Sequence, residues 1–91
     1  MFGFNISRDI DKAIYYFTLA SNQNYVEAAF YLGVIYYESK YISRDITKAI
    51  YYFSLASKQN HAESEYNLGI IYYDGIYVLR DIDKAIYYFS I

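Results

Sequence analysis

The decapeptide RDIDKAIYYF stands at residues 8–17 and again, letter for letter, at 80–89, with RDITKAIYYF at 44–53 between them. Arg8, Arg44 and Arg80 are therefore 36 residues apart, and the same spacing separates Gly33 from Gly69 and Leu32 from Leu68. Residues 9–44 and 45–80 agree at 21 of 36 positions, and residues 81–91 agree with 45–55 at 9 of 11. A fixed period of this length marks an array of stacked units, each too small to bury its apolar face alone.

Each period reads as two helices. In the first, Ile10, Ala13, Ile14, Phe17 and Ala20 fall at i, i+3, i+4, i+7 and i+10, an apolar stripe of helical period. Asp9, Asp45 and Asp81 stand directly before the three stripes, where a carboxylate can accept from the unpaired N–H groups of a first helical turn, and all three are expected to be caps. The helices should close near SNQN and SKQN, with Asn24 and Asn60 in the left-handed conformation. A second helix then runs through VEAAFYLGVIYYE, with Ala28, Leu32 and Tyr36 stacked at i, i+4 and i+8, and its copy stacks Ser64, Leu68 and Tyr72. Gly33 and Gly69 sit inside this second helix, where glycine costs about 1 kcal/mol relative to alanine, so a neighbouring helix should approach closely there. Loops from Glu38 to Arg44 and from Asp74 to Arg80 join one period to the next. The units read as 9–44, 45–80 and a partial 81–91. Residues 1–8 are expected to form a loop and the last residues to lie within a helix, so the 91 residues look like one segment of a longer array.

Charge and composition remove several functions. Eight basic and ten acidic residues give a net charge of −2 with no basic run, which argues against a nucleic-acid partner. The absence of cysteine excludes disulfides, a thiolate nucleophile and cysteine-based metal sites. No stretch has the shape of a signal peptide, and no apolar run reaches the length of a membrane span, so the expected setting is cytoplasmic, with no membrane contact in this segment. Catalysis needs a convergent constellation. The single histidine, His61, is expected at the surface near a helix start, and Glu27, Glu38, Glu63, Glu65 and Asp74 are expected on a helix face that no pocket covers. The chain is thus expected to be neither an enzyme nor a cofactor protein.

AAFYLGVIYYES, followed after a loop by RDITKAIYYFSLASKQN, resembles the Sel-one-like repeat, a relative of the tetratricopeptide repeat. Ala28, Leu32, Gly33, Tyr36, Asp45, Lys48, Ala49, Tyr52, Phe53 and Ala56 occupy that family's pattern in order, and the sixteen residues from Gly33 to Ala49 match its longer loop. Departures are Ser39 for the loop glycine, Ser21 and Ser57 for an alanine, and Asn24 and Asn60 for the terminal glycine. The resemblance implies an all-α, right-handed solenoid of antiparallel helix pairs, and a scaffold or adaptor that binds proteins on a concave surface lined by the first helix of each pair. It also implies that Tyr16, Tyr52 and Tyr88 pack against neighbours, which leaves Tyr15, Tyr51 and Tyr87 surplus.

In that family's pairing the helix within residues 25–38, and its copy within 61–74, is the first of each pair, and the two copies differ most there: residues 45–60 repeat 9–24 at 13 of 16 positions, but 61–74 repeat 25–38 at only 6 of 14. Glu27, Tyr31, Glu38, Glu63, Asn67 and Asp74 lie off the apolar stripe and are the candidate contacts for a protein or peptide partner. Tyr15 and Leu19, Tyr51 and Leu55, and Tyr87 and Ile91 form i, i+4 pairs that would stack into an exposed apolar ridge. An array open at its ends should also self-associate. Two other readings stand beside the scaffold: a purely structural stretch whose partner sites lie in other repeats, and, more weakly, an RNA-binding helical repeat.

Overall fold

A computed structural model describes residues 6–91, with side chains from residue 9 onward. Five helices and no strand occur among the described residues: α1 (Ile6–Asn22), α2 (Val26–Glu38), α3 (Ile46–Ser57), α4 (Ala62–Asp74) and α5 (Ile82–Ser90). Each helix packs on the next in chain order, and α2 also touches α4, so the helices form the stacked pairs of an α-solenoid.

Local chemistry sets most of the boundaries. Asp45 and Asp81 cap α3 and α5, each Oδ1 accepting from the backbone N–H three residues on, Lys48 or Lys84, at 3.0 Å. The Asp45 N–H donates to Tyr36 O at 2.9 Å and the Asp81 N–H to Tyr72 O at 3.0 Å, tying each cap to the preceding helix. Asp9 is not a cap, contrary to expectation. The helix begins at Ile6 and Asp9 lies in its first turn, still well placed for the positive end of the helix dipole. No carbonyl equivalent to those of Tyr36 and Tyr72 lies among the described residues to hold Asp9 in an extended conformation, and the helix runs through it.

Asn24 and Asn60 take φ of 68° and 62°, closing α1 and α3 as their position required. The N–H of Tyr25 returns to Ala20 O, and that of His61 to Ala56 O, both at 3.2 Å, the six-to-one bond of a Schellman closure. The loops after α2 and α4 diverge where Ser39 replaces glycine. Gly75 is left-handed at φ 63°, whereas Ser39 is extended and its hydroxyl accepts from the Tyr41 N–H at 3.1 Å.

The core is built from Ala49, Phe53, Leu68 and Ile71, with Leu32 and Ala56 also fully enclosed. Gly33 lies against the Phe53 ring: a Cβ there would stand 2.5 Å from the ring, which accounts for a glycine inside α2. Gly69 meets Phe89 in the same way. Tyr36 stacks on Tyr52 at 6.0 Å and Tyr72 on Tyr88 at 6.1 Å, in nearly parallel planes. Tyr16 departs from that pattern and is 63% exposed, because among the described residues no second tyrosine stacks on it as Tyr36 does on Tyr52.

Candidate partner-binding face

On a helix, residues 27, 31 and 38 fall within one narrow sector, as do 63, 67 and 74. In α2 this sector carries Glu27, Tyr31 and Glu38, all exposed, and in α4 it carries exposed Glu63, half-buried Asn67 and exposed Asp74. α2 and α4 are in direct contact. The Tyr31 ring stacks on Phe17 of α1 at 5.4 Å and borders Phe30, which holds it while half its surface faces solvent.

Electrostatics sharpens this face. Lys48 lies 5.1 Å from the centre of the Tyr36 ring and Lys84 lies 4.9 Å from that of Tyr72. Arg44 lies 4.3 Å from the Tyr77 ring and 5.9 Å from Tyr37, Arg80 is 4.8 Å from Tyr73, and Lys40 is 5.5 Å from Tyr41. Cations are thus held on tyrosine faces, at contacts worth roughly 0.5–1 kcal/mol where exposed. Two are also fastened to the backbone, Arg44 Nε donating to Tyr37 O at 2.7 Å and Arg80 Nε to Tyr73 O at 2.8 Å. Burial raises the Tyr37 hydroxyl above its ordinary pKa, with Tyr77, Asp74 and Glu38 adding to the rise and Arg44 opposing it. The carboxylates at the ends of α2 and α4 therefore act on one shared spot.

The apolar ridge residues lie on the other helix of each pair. Tyr15, Leu19, Tyr51, Tyr87 and Ile91 are exposed, while Leu55 is half-buried between its neighbours. Each surplus tyrosine sets its ring edgewise to the adjacent one at 5.0 Å, as in Tyr51 and Tyr52.

Two residues depart from the sequence reading. Glu65, grouped there with the surface acids, is only 6% exposed and lines a cavity of about 400 Å³ with Ser54, Ser57, Lys58, Asn60, Tyr87, Tyr88 and Ile91. The periodic pattern could not reveal this, since it does not say which flank of α4 the ends of α3 and α5 will cover; the buried Ala29 at the same place in α2 is the one signal. His61 is half-buried rather than a free surface residue. Its Nδ1 caps α4, accepting from the Ser64 N–H at 3.3 Å and lying 2.9 Å from the Ser64 hydroxyl, while its ring packs on Phe30 at 4.8 Å.

Among the described residues no group of three or more His, Asp or Glu side chains could hold a metal ion, and no helix is long and apolar enough to cross a membrane. The family model described as Sel1 repeat matches residues 1–25, 26–61 and 62–91. No curated protein matches the chain.

Proposed function

The chain belongs to the Sel1 repeat family, whose repeats are generally protein–protein interaction modules, and from that premise we propose that it is a non-enzymatic scaffold. In this reading α2 and α4 take a protein or peptide partner through Glu27, Tyr31, Glu38, Glu63, Asn67 and Asp74. The observation that carries it is the set of exposed carboxylates Glu27, Glu38, Glu63 and Asp74 on α2 and α4, with Arg44, Arg80, Lys48 and Lys84 resting on tyrosine rings. A partner presenting Lys or Arg around an apolar residue suits that face, with Tyr31 as the aromatic anchor. The same charge pattern disfavours nucleic acid, which needs a free basic stripe. A cytoplasmic setting belongs to the same proposal.

The test is affinity capture from a cell extract with the 91-residue chain and with its Glu27→Gln, Glu38→Gln, Glu63→Gln, Asp74→Asn variant. The parent is expected to retain proteins that the variant loses, with association slowing as salt rises, since exposed charges are screened beyond about 10 Å at 0.1 M. Equal retention by both chains would favour a structural stretch whose partner sites lie in other repeats. A second copy of the chain is a further partner this reading includes, because the outer face of α5 leaves Ile82, Ile86 and Phe89 exposed.

A further inference from the structure

We propose that the edge of the solenoid formed by loops 39–44 and 75–80 docks on an anionic lipid bilayer, inserting Ile76 and Leu79 at the headgroup level. This contact is separate from the acidic face of α2 and α4 and does not depend on it. The loops read SKYISR and GIYVLR, and together they hold Lys40, Arg44 and Arg80 and no carboxylate, in a chain of net charge −2. They lie side by side: the Tyr77 ring meets Tyr37 edge-on at 6.0 Å, and the Arg44 guanidinium lies 4.3 Å from the Tyr77 ring centre. Val78 packs against the core cluster, and the second loop closes so tightly that a Cβ at Gly75 would stand 2.6 Å from the Cβ of Arg80. The tip so held presents Ile76 69% exposed and Leu79 92% exposed, with Lys40, Arg44 and Arg80 also exposed around it.

Stacking of a further period does not cover this edge. Loop 39–44 has the second period beside it, yet Lys40 and Ser43, the counterparts of Ile76 and Leu79, stay exposed, and Tyr41 is 40% exposed against 42% for its counterpart Tyr77. Single exposed apolar residues are ordinary. Here two stand on one convex tip, with amphipathic tyrosine rings at its base and cations beside them, which is the sequence of groups a membrane interface takes from hydrocarbon to phosphate. Glu38, Asp74 and Asp83 stand one step back at the helix ends, and Asp45 and Asp81 are engaged as caps, so the tip meets an anionic surface first. The cavity beside Glu65 lies at the opposite ends of α3 and α5, so nothing at this edge is a groove for a side chain from outside. Lipid deforms around a convex tip, whereas a folded partner would need a matching hollow. A run this short cannot span a bilayer, but docking needs only the tip.

Co-flotation with vesicles tests the contact. The 91-residue chain is expected to float at low salt with vesicles of phosphatidylcholine and phosphatidylserine, to float less with phosphatidylcholine alone, and to be released as salt rises. The Ile76→Ser, Leu79→Ser chain is expected to bind at least about tenfold more weakly with its circular dichroism unchanged. The natural chain has no tryptophan, so Leu79→Trp reports insertion directly, as a blue shift of its emission on the phosphatidylserine vesicles. The Glu38→Gln, Asp74→Asn chain, which should lose a basic protein partner, is expected to bind vesicles more tightly, so the two contacts can fail separately. Absence of flotation at low salt, flotation fully retained by the Ile76→Ser, Leu79→Ser chain, or an unshifted Leu79→Trp emission overturns the proposal. So does a protein that the parent retains and the Ile76→Ser, Leu79→Ser chain loses while neither chain binds vesicles, which would assign the edge to a protein partner instead.

Discussion

Two glycines in equivalent positions separate packing from propensity. At Gly33 an added methyl would stand 2.5 Å from the ring of Phe53, which is enclosed on every side and cannot turn away. Overpacking of that kind costs about 1–3 kcal/mol, more than the roughly 1 kcal/mol that alanine gains over glycine inside a helix. Gly33→Ala is therefore expected to be destabilising. At Gly69 the same methyl meets Phe89, whose ring is nearly half exposed and free to swing outward, so Gly69→Ala should be neutral or mildly stabilising. Thermal melts of the two variants check this, and equal shifts would show that confinement of Phe53 is not the deciding factor. His61 gives a second residue-scale test. Its Nδ1 serves as an N-cap acceptor, so His61→Ala should cost about 1 kcal/mol, while His61→Asn, which keeps an acceptor there, should recover much of it.

At the scale of helices, the difference between α3 and α5 is the number of neighbours. Phe53→Ala empties a site closed by α2 and α4 and is expected to cost about 3–5 kcal/mol in a chemical denaturation, whereas Phe89→Ala, already open to water, should cost clearly less. Helix number, the Asn24 and Asn60 closures and the close approach at Gly33 were all legible in the sequence, because each depends on period or on one residue's conformational range. Asp45 and Asp81 were legible as caps for the same reason. Asp9 was not, since capping there also needs a carbonyl from a preceding helix. The spacing of Glu27, Glu38, Glu63 and Asp74 was enough to place them in solvent, but Glu65 and Asn67 depend on how far the ends of α3 and α5 reach over α4, which no local pattern encodes. Stacked tyrosines carry a helix-scale pH dependence. Burial raises the pKa of Tyr37, Tyr52 and Tyr88 above 10, with Tyr77, Tyr36 and Tyr72 the next contributors in turn. A group whose folded pKa is raised contributes stability that is whole below its unfolded pKa and is lost as pH rises through the folded one. The melting temperature should thus fall above about pH 10, and replacing all three by Phe should flatten that fall.

For the molecule as a whole, stability is a sum over units and the contacts between neighbours rather than the property of one closed core. Among the described residues, α3 is held on both sides, α2 and α4 are each held by the helices before and after them, and α1 and α5 have one neighbour apiece. Opening either outer helix breaks one interface and leaves the central four-residue cluster of Ala49, Phe53, Leu68 and Ile71 intact, whereas opening α3 breaks two and destroys it. Local openings should therefore span a range of free energies, with the outer helices near the low end. Native-state hydrogen exchange is expected to show the slowest amides in α3, intermediate ones in the buried halves of α2 and α4, and the fastest helical amides in α1 and α5. Uniform protection through all five helices at low concentration would mean that the array opens only as a unit, and that the interfaces, rather than the individual helix pairs, carry nearly all of its stability.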